Sequence, residues 1–300
     1  MCGIAGYLDR SGEAPNPLGE VVLSMLQALA CRGPDSAGVA LQAPPRPDVW
    51  TLRVKLGETT DEGRGDQVRA VAARHRGADF STLGAYARFT VPSSEDLTAL
   101  TAELEGIAPQ IEVLSAGHSL EIAKQVGSPA NLDAAFRVRA FRGSHGIGHT
   151  RLSTESRVDL SHSQPFWGHG CPDLAIVHNG HITNYHQLRR RYEQRGVRFY
   201  TENDSEVIAV YLSERLRRGD SLAAALHGML EDLDGSFSCL ATTSNAIGFV
   251  KDPYAFKPLV YAETERFVAV ATEEVAIRSA LPGDYEVVEA PVREVRVWTV

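Results

Sequence analysis

The chain begins Met1-Cys2-Gly3-Ile4-Ala5-Gly6-Tyr7-Leu8, a cysteine at the second position followed at once by small and apolar residues. Ile4 to Leu8 has the apolar density of a short buried strand. Cysteine is small enough for methionine aminopeptidase to remove Met1, so the mature chain is expected to start at Cys2. A thiol and a free α-amine would then share one residue, and an amine with a pKa near ~8 lies close enough to neutrality to act as a general base. That is the logic of an N-terminal nucleophile, which carries its own base. By residue type alone, Cys2 reads more readily as a small buried strand residue.

Working outward, Leu18, Val21, Val22, Met25, Leu26 and Leu29 recur at helical spacing, and Arg32-Gly33-Pro34 ends that helix. Pro44, Pro45 and Pro47 deny backbone donors, so residues 42–48 form a surface connection and a boundary. Beyond it, 49–55 and 83–91 are predicted strands, and 61–75 and 94–104 are predicted helices. Residues 111–116 and 119–125 alternate about Gly117-His118 as a hairpin would. Residues 43–143 are thus expected to form an inserted αβ lobe. From His145 onward, strand-like runs at 146–150, 174–178, 237–241, 247–251, 259–262 and 267–271 surround helices starting near Asn184, Ser205 and Ser221.

The 300 residues carry 43% hydrophobic and 23% charged side chains, the balance of a globular protein. Thirty-eight acids against thirty bases leave a net charge of −8, which argues against nucleic acid as a partner. No apolar stretch approaches the ~20 residues of a membrane span, and no signal-like start is present, so a cytoplasmic location without membrane contact is expected. The four cysteines, Cys2, Cys31, Cys171 and Cys239, show no CxxC spacing and read as reduced thiols. His145, His149, His162, His169, Cys171, His178 and His181 are dense enough to raise a metal site. Gly146, Gly148 and Thr150 argue against the helix that would align the first two, so no metal is expected.

Five separated motifs give the opening cysteine its meaning. They are Met1 to Gly6, Arg32-Gly33-Pro34-Asp35-Ser36-Ala37-Gly38, Gly148-His149-Thr150-Arg151-Leu152-Ser153-Thr154, His178-Asn179-Gly180 and Asn203-Asp204-Ser205-Glu206. In order and character the chain resembles the class II glutamine amidotransferases, over roughly residues 1–42 and 144–280. It is most similar to the amidotransferase-like subunit of glutamate-synthase-type complexes such as N-methylglutamate synthase. Leu152 stands where many members carry an aromatic residue. Glu155 and Ser156 replace the histidine and glycine usual in the sugar-phosphate amidotransferases, which disfavours that subgroup.

The resemblance implies an α+β fold, the N-terminal nucleophile four-layer αββα sandwich, in one amidotransferase-type domain over 2–300 that carries the inserted lobe. It implies Cys2 as nucleophile, with Asn179 and Gly180 as oxyanion donors and Arg32 positioning the cysteine. Arg151, Asp204 and Thr154 would bind the amino-acid end of the substrate. The chemistry is coherent: a guanidinium fork suits an α-carboxylate, and an aspartate suits an α-ammonium. As bare residues, Arg151 and Asp204 would be a surface ion-pair partner and a helix cap, and Asn179-Gly180 a turn. The expected substrate is glutamine or γ-glutamylmethylamide. The acceptor chemistry is expected on a separate synthase subunit, with flavin on that partner and no cofactor on this chain. A free-standing γ-glutamyl amide hydrolase and a catalytically silent glutamine-binding scaffold are the alternatives.

Overall fold

The computed structural model describes residues 2–12, 17–58, 60, 63–153 and 157–300. Two antiparallel sheets lie face to face. The first has seven strands, in the order Val288–Glu289, Val260–Glu263, Phe267–Ala271, Gly3–Asp9, His145–Arg151, Ser36–Gln42 and Leu120–Val126. The second has five, in the order Val295–Thr299, Ala246–Lys251, Gly235–Thr243, Ala175–Ile182 and Phe166–Trp167.

Side chains alternate across each strand, and both faces are buried. Ile4 and Leu8 point between the sheets with Ile147, Val177, Leu240, Ile247 and Phe249. Ala5 and Tyr7 point outward under helix Leu18–Ala28, against Val22, Met25 and Leu26. On the far side, Ile176, Cys239, Ala241 and Val250 meet helices Asp204–Arg217 and Leu222–Asp232 through Val207, Ile208, Leu212, Leu226 and Met229. The layers therefore run helix, sheet, sheet, helix. This is the α+β sandwich, with helices outside because only their apolar stripes can cover the outer sheet faces.

A third sheet of four strands, Ala78–Leu83, Tyr86–Pro92, Val49–Lys55 and Glu112–Gly117, carries helices Arg64–Arg74 and Leu97–Glu105. Its core, including Leu52, Val54, Phe89 and Val113, is continuous with the core between the two large sheets. The remainder of 43–143 belongs elsewhere: Leu120–Val126 closes the edge of the seven-stranded sheet, and Leu132 of helix Pro129–Phe136 packs into the same outer layer as Leu18–Ala28.

The predicted hairpin about Gly117-His118 does not form. Glu112–Gly117 pairs with Val49–Lys55, whereas Leu120–Val126 pairs with Ser36–Gln42. The cause is Asp173, whose carboxylate accepts from the backbone N–H groups of His118 (3.1 Å), Ser119 (2.9 Å) and Leu120 (2.9 Å). A Cβ at Gly117 would stand 2.1 Å from the Asp173 Oδ1 atom, so the buried aspartate fills the place of a hairpin turn. The predicted strand at 83–91 is also displaced. A turn at Gly84-Ala85 separates Tyr86–Pro92 from Ala78–Leu83, whose side chains are almost all exposed and carry no apolar period.

Candidate active site

The N-terminal strand lies in the middle of the seven-stranded sheet, and its register sets Gly3 opposite Thr150. Ser36 pairs with Arg151 in the neighbouring ladder, so Cys2, Ser36 and Arg151 gather at one sheet end. The Cys2 carbonyl accepts from Arg32 Nε at 3.2 Å and from Asn179 Nδ2 at 3.3 Å, while its Sγ lies 3.8 Å from the Leu152 carbonyl oxygen. Arg32 is anchored at its other end by Glu273. The chain can pass so close here because residue 33 is glycine: a Cβ there would sit 2.4 Å from the Thr150 carbonyl carbon.

A cavity of about 390 Å³ opens at this sheet end. Cys2, Arg151, Asn179, Gly180 and Asp204 all line it, while Arg32 supports Cys2 from behind. Thr154 falls outside the described residues. Arg151 ends its strand, and its guanidinium donates to the Arg157 carbonyl (2.8 Å) and to Ser153 Oγ (3.4 Å). Asp204 is the first residue of helix Asp204–Arg217, where the helix dipole favours an anion. Its Oδ2 accepts from the Ile182 N–H at 2.8 Å. The carboxylate and the guanidinium therefore border one cavity, as an amino-acid zwitterion requires.

Asn179 and Gly180 are not a turn. They stand inside strand Ala175–Ile182, paired with Ser238 and Phe237. A Cβ at Gly180 would lie 2.2 Å from the Ser236 carbonyl oxygen, so glycine lets the two strands close over the cavity floor.

Behind this floor the polar groups are buried. Gln164 bonds the His178 backbone twice, accepting from its N–H (2.6 Å) and donating to its carbonyl (2.9 Å), and so continues the sheet with a side chain. His178 Nδ1 lies 2.9 Å from Ser205 Oγ. Burial pushes the His178 imidazole below its usual value and drives His149 down to about 3. A ring with so low a pKa is a poor proton acceptor near neutrality. Ser205, a member of the 203–206 motif, lines the cavity too, as do Gln164, Tyr185, Glu202 and Lys257, which the sequence did not single out. Only their neighbourhood to strand ends and to the 203–206 motif would have pointed to them. Among the described residues no three His, Cys, Asp or Glu side chains gather as metal ligands, and no helix is long and apolar enough to cross a membrane.

Residues 149–279 match the glutamine amidotransferase domain family. The chain is 38% identical to the glutamine amidotransferase-like protein GlxB of Rhizobium meliloti strain 1021, over 91% of this chain and 89% of that protein. It is 35% identical to a protein of Methanothermobacter thermautotrophicus named as a glutamine amidotransferase, over the full length of both. Among solved structures it resembles the glutamine phosphoribosylpyrophosphate amidotransferase of B. subtilis, with a TM-score of 0.62 and 20% identity over 99% of this chain and 47% of that one. The chain thus spans about half the length of that structure, and the likeness concerns the fold. With a fold of the N-terminal nucleophile type and relatives matched almost end to end, the chain belongs to the class II glutamine amidotransferase family.

Proposed function

We propose that this protein hydrolyses a γ-glutamyl amide, glutamine or γ-glutamylmethylamide, and passes the released ammonia or methylamine to a separate synthase subunit. The observation that carries the reading is the meeting of Cys2, Asn179, Arg151 and Asp204 around one cavity. Arg151 grips the α-carboxylate, with Thr154 assisting, and Asp204 takes the α-ammonium. The Cys2 sulfur bonds to the amide carbon while its proton passes to the α-amine. The carbonyl oxygen becomes negative and is met by the Asn179 carboxamide, released from the Cys2 carbonyl, and by the Gly180 N–H. The α-amine then hands the proton to the leaving nitrogen, the C–N bond breaks, and a thioester remains. Water attacks the thioester, glutamate leaves, and the thiol is restored.

The partner proposed is the synthase component of an N-methylglutamate synthase or glutamate synthase type complex, with its flavin on the partner. The amino-acid end binds both amides alike, and one extra methyl group beside the leaving nitrogen changes binding by only ~1–3 kcal/mol in an apolar pocket. The test measures amine release from both substrates, by the isolated chain and by the chain with its co-purifying partners. With partners bound, the methylamide is expected to turn over at least as efficiently as glutamine. Turnover of glutamine alone under every condition removes the methylamine assignment. Absence of turnover for both, in the complex as well, makes the chain a glutamine-binding scaffold.

A further inference from the structure

We infer that His162 is a positioning residue through which the inserted lobe holds the 202–204 wall of the cavity, an inference that rests on reading this cavity as a γ-glutamyl amide site. Residues 159–163 form a turn between the lobe and the cavity. On the lobe side, the Leu160 N–H donates to Glu58 Oε2 at 2.9 Å, and Lys55 Nζ donates to Glu58 Oε1 at 2.8 Å and also to Ser161 Oγ. The Ser161 hydroxyl donates to Glu112 Oε2 at 2.6 Å. Lys55 and Glu112 face each other across two strands of the lobe sheet, so this hold comes from its rigid part.

On the cavity side, His162 is 5% exposed and uses every polar group it has. Its backbone N–H (2.8 Å) and its Nδ1 (2.7 Å) both meet Asp159 Oδ1. Its Nε2 meets Glu202 Oε2 at 3.0 Å, and its carbonyl accepts from Asn203 Nδ2 at 2.9 Å. Glu202 and Asn203 line the cavity beside Asp204. Burial alone would lower the imidazole's pKa, but Asp159 and Glu202 outweigh it and hold the ring above its usual value. A second strut runs parallel, since the Tyr200 hydroxyl donates to Glu105 at the end of a lobe helix. The wall is therefore slung between two lobe contacts. The Glu202 side chain is 78% exposed, so the bridge to it alone is weak and the effect on substrate capture moderate.

The full-length protein with His162→Ala or His162→Gln is compared with wild type in two measurements. Without substrate, amide hydrogen exchange across residues 199–206 is expected to quicken by about tenfold in His162→Ala and less in His162→Gln, which keeps a donor, while strand Gly3–Asp9 keeps its rates. Glu58→Ala is expected to quicken the same segment from the lobe side. With substrate, KM is expected to rise about three- to tenfold with kcat within about twofold. Unchanged exchange across 199–206, an equal rise throughout the protein, or a loss confined to kcat overturns the inference. No response to Glu58→Ala overturns the lobe's part in it. Local quickening in a protein whose wild type cleaves neither amide upholds the brace and overturns the substrate reading instead.

Discussion

The sandwich and the lobe solve the same packing problem by different means. In the sandwich, Gly3–Asp9 is buried along nearly its whole length and Ser36–Gln42 throughout, because each sheet has a partner sheet on one face and helices on the other. The lobe sheet, by comparison, is apolar on one face and polar on the other. Leu52, Val54, Ala87 and Phe89 enter the common core, while Arg53 and Arg88 stand opposite each other on the other face. Like charges placed so repel. Glu121, from the edge of the seven-stranded sheet, resolves the conflict by bonding Arg53 (2.7 Å) and Arg88 (2.8 and 2.9 Å) together. The sandwich can therefore place reactive groups at strand ends outside its apolar core, whereas the polar face of the lobe sheet is tied to the sandwich's edge by charge pairing.

The largest effects should accordingly arise at the sandwich's strand ends. Cys2→Ala is expected to reduce amide hydrolysis to background while leaving the thermal midpoint within a degree or two. Intact mass should show a chain starting at Cys2. Active protein that retains Met1 would refute the self-base mechanism, because an acylated amine has no available lone pair. Next in size, Asn179→Ala should lower kcat by roughly 10²-fold, whereas Arg151→Ala and Asp204→Ala should act chiefly on KM. Steady-state kinetics distinguishes them, and an Asn179→Ala effect confined to KM would remove the oxyanion role.

The seam between the two regions comes third. Burial would raise the Glu121 carboxyl, but Arg88 and Arg53 outweigh it and hold it at about 2. Its pKa in the fold is thus below its ordinary value of 4.5, so its stabilisation is complete above that value and lost as pH falls through about 2. The interval corresponds to ~3 kcal/mol, and Glu121→Gln, which leaves two arginines facing each other, should cost about that much in denaturant unfolding at pH 7. The difference from wild type should shrink at pH 3. Because Phe89 and Leu52 share a core with Ile4 and Val177, the unfolding should remain one transition. A separate lobe transition would show that the continuous core does not couple the two regions.

The same contrast governs what the sequence reveals. Strands buried on both faces, such as 237–241 and 267–271, stand out as short runs rich in apolar residues because almost nothing on them faces water. Strand Ala78–Leu83 is hidden for the opposite reason, being exposed almost throughout. The hairpin expectation failed because Asp173 lies more than fifty residues from the turn it captures, beyond any local pattern. At the site, Cys2, Arg151, Asn179, Gly180 and Asp204 are legible only as parts of a motif series. The Asn179 contact with Cys2 spans 177 positions and exists only once two sheets have met. Gln164 and His162 have no signature of their own, since their roles come from backbone groups presented by distant strands and turns.

The smallest effect is expected on the lobe's outer rim, where His75 closes helix Arg64–Arg74. Its Nδ1 lies 2.7 Å from Glu95 Oε2 and its Nε2 2.8 Å from Glu103 Oε2, and Arg76 and Arg74 bind the same two carboxylates. Glu103 and Glu95 together hold the imidazole above its ordinary value, against a small opposing effect of burial. The sign follows: the clamp contributes fully below the ordinary histidine value of 6.5 and fades as pH rises through the raised one. It also fades in acid, once Glu95 and Glu103, which His75 and the arginines hold below their ordinary 4.5, become protonated. The ring and Glu95 are half-buried but Arg74, Arg76 and Glu103 are open to solvent, and pairs on such a rim contribute little. His75→Gln should lower the melting midpoint at pH 6 by less than about 2 °C, and at pH 9 by nothing measurable. A larger loss at pH 6 that persists at pH 9 would mean that the ring is held by packing rather than charge, and that the lobe's rim resembles the sandwich more than its exposed side chains suggest.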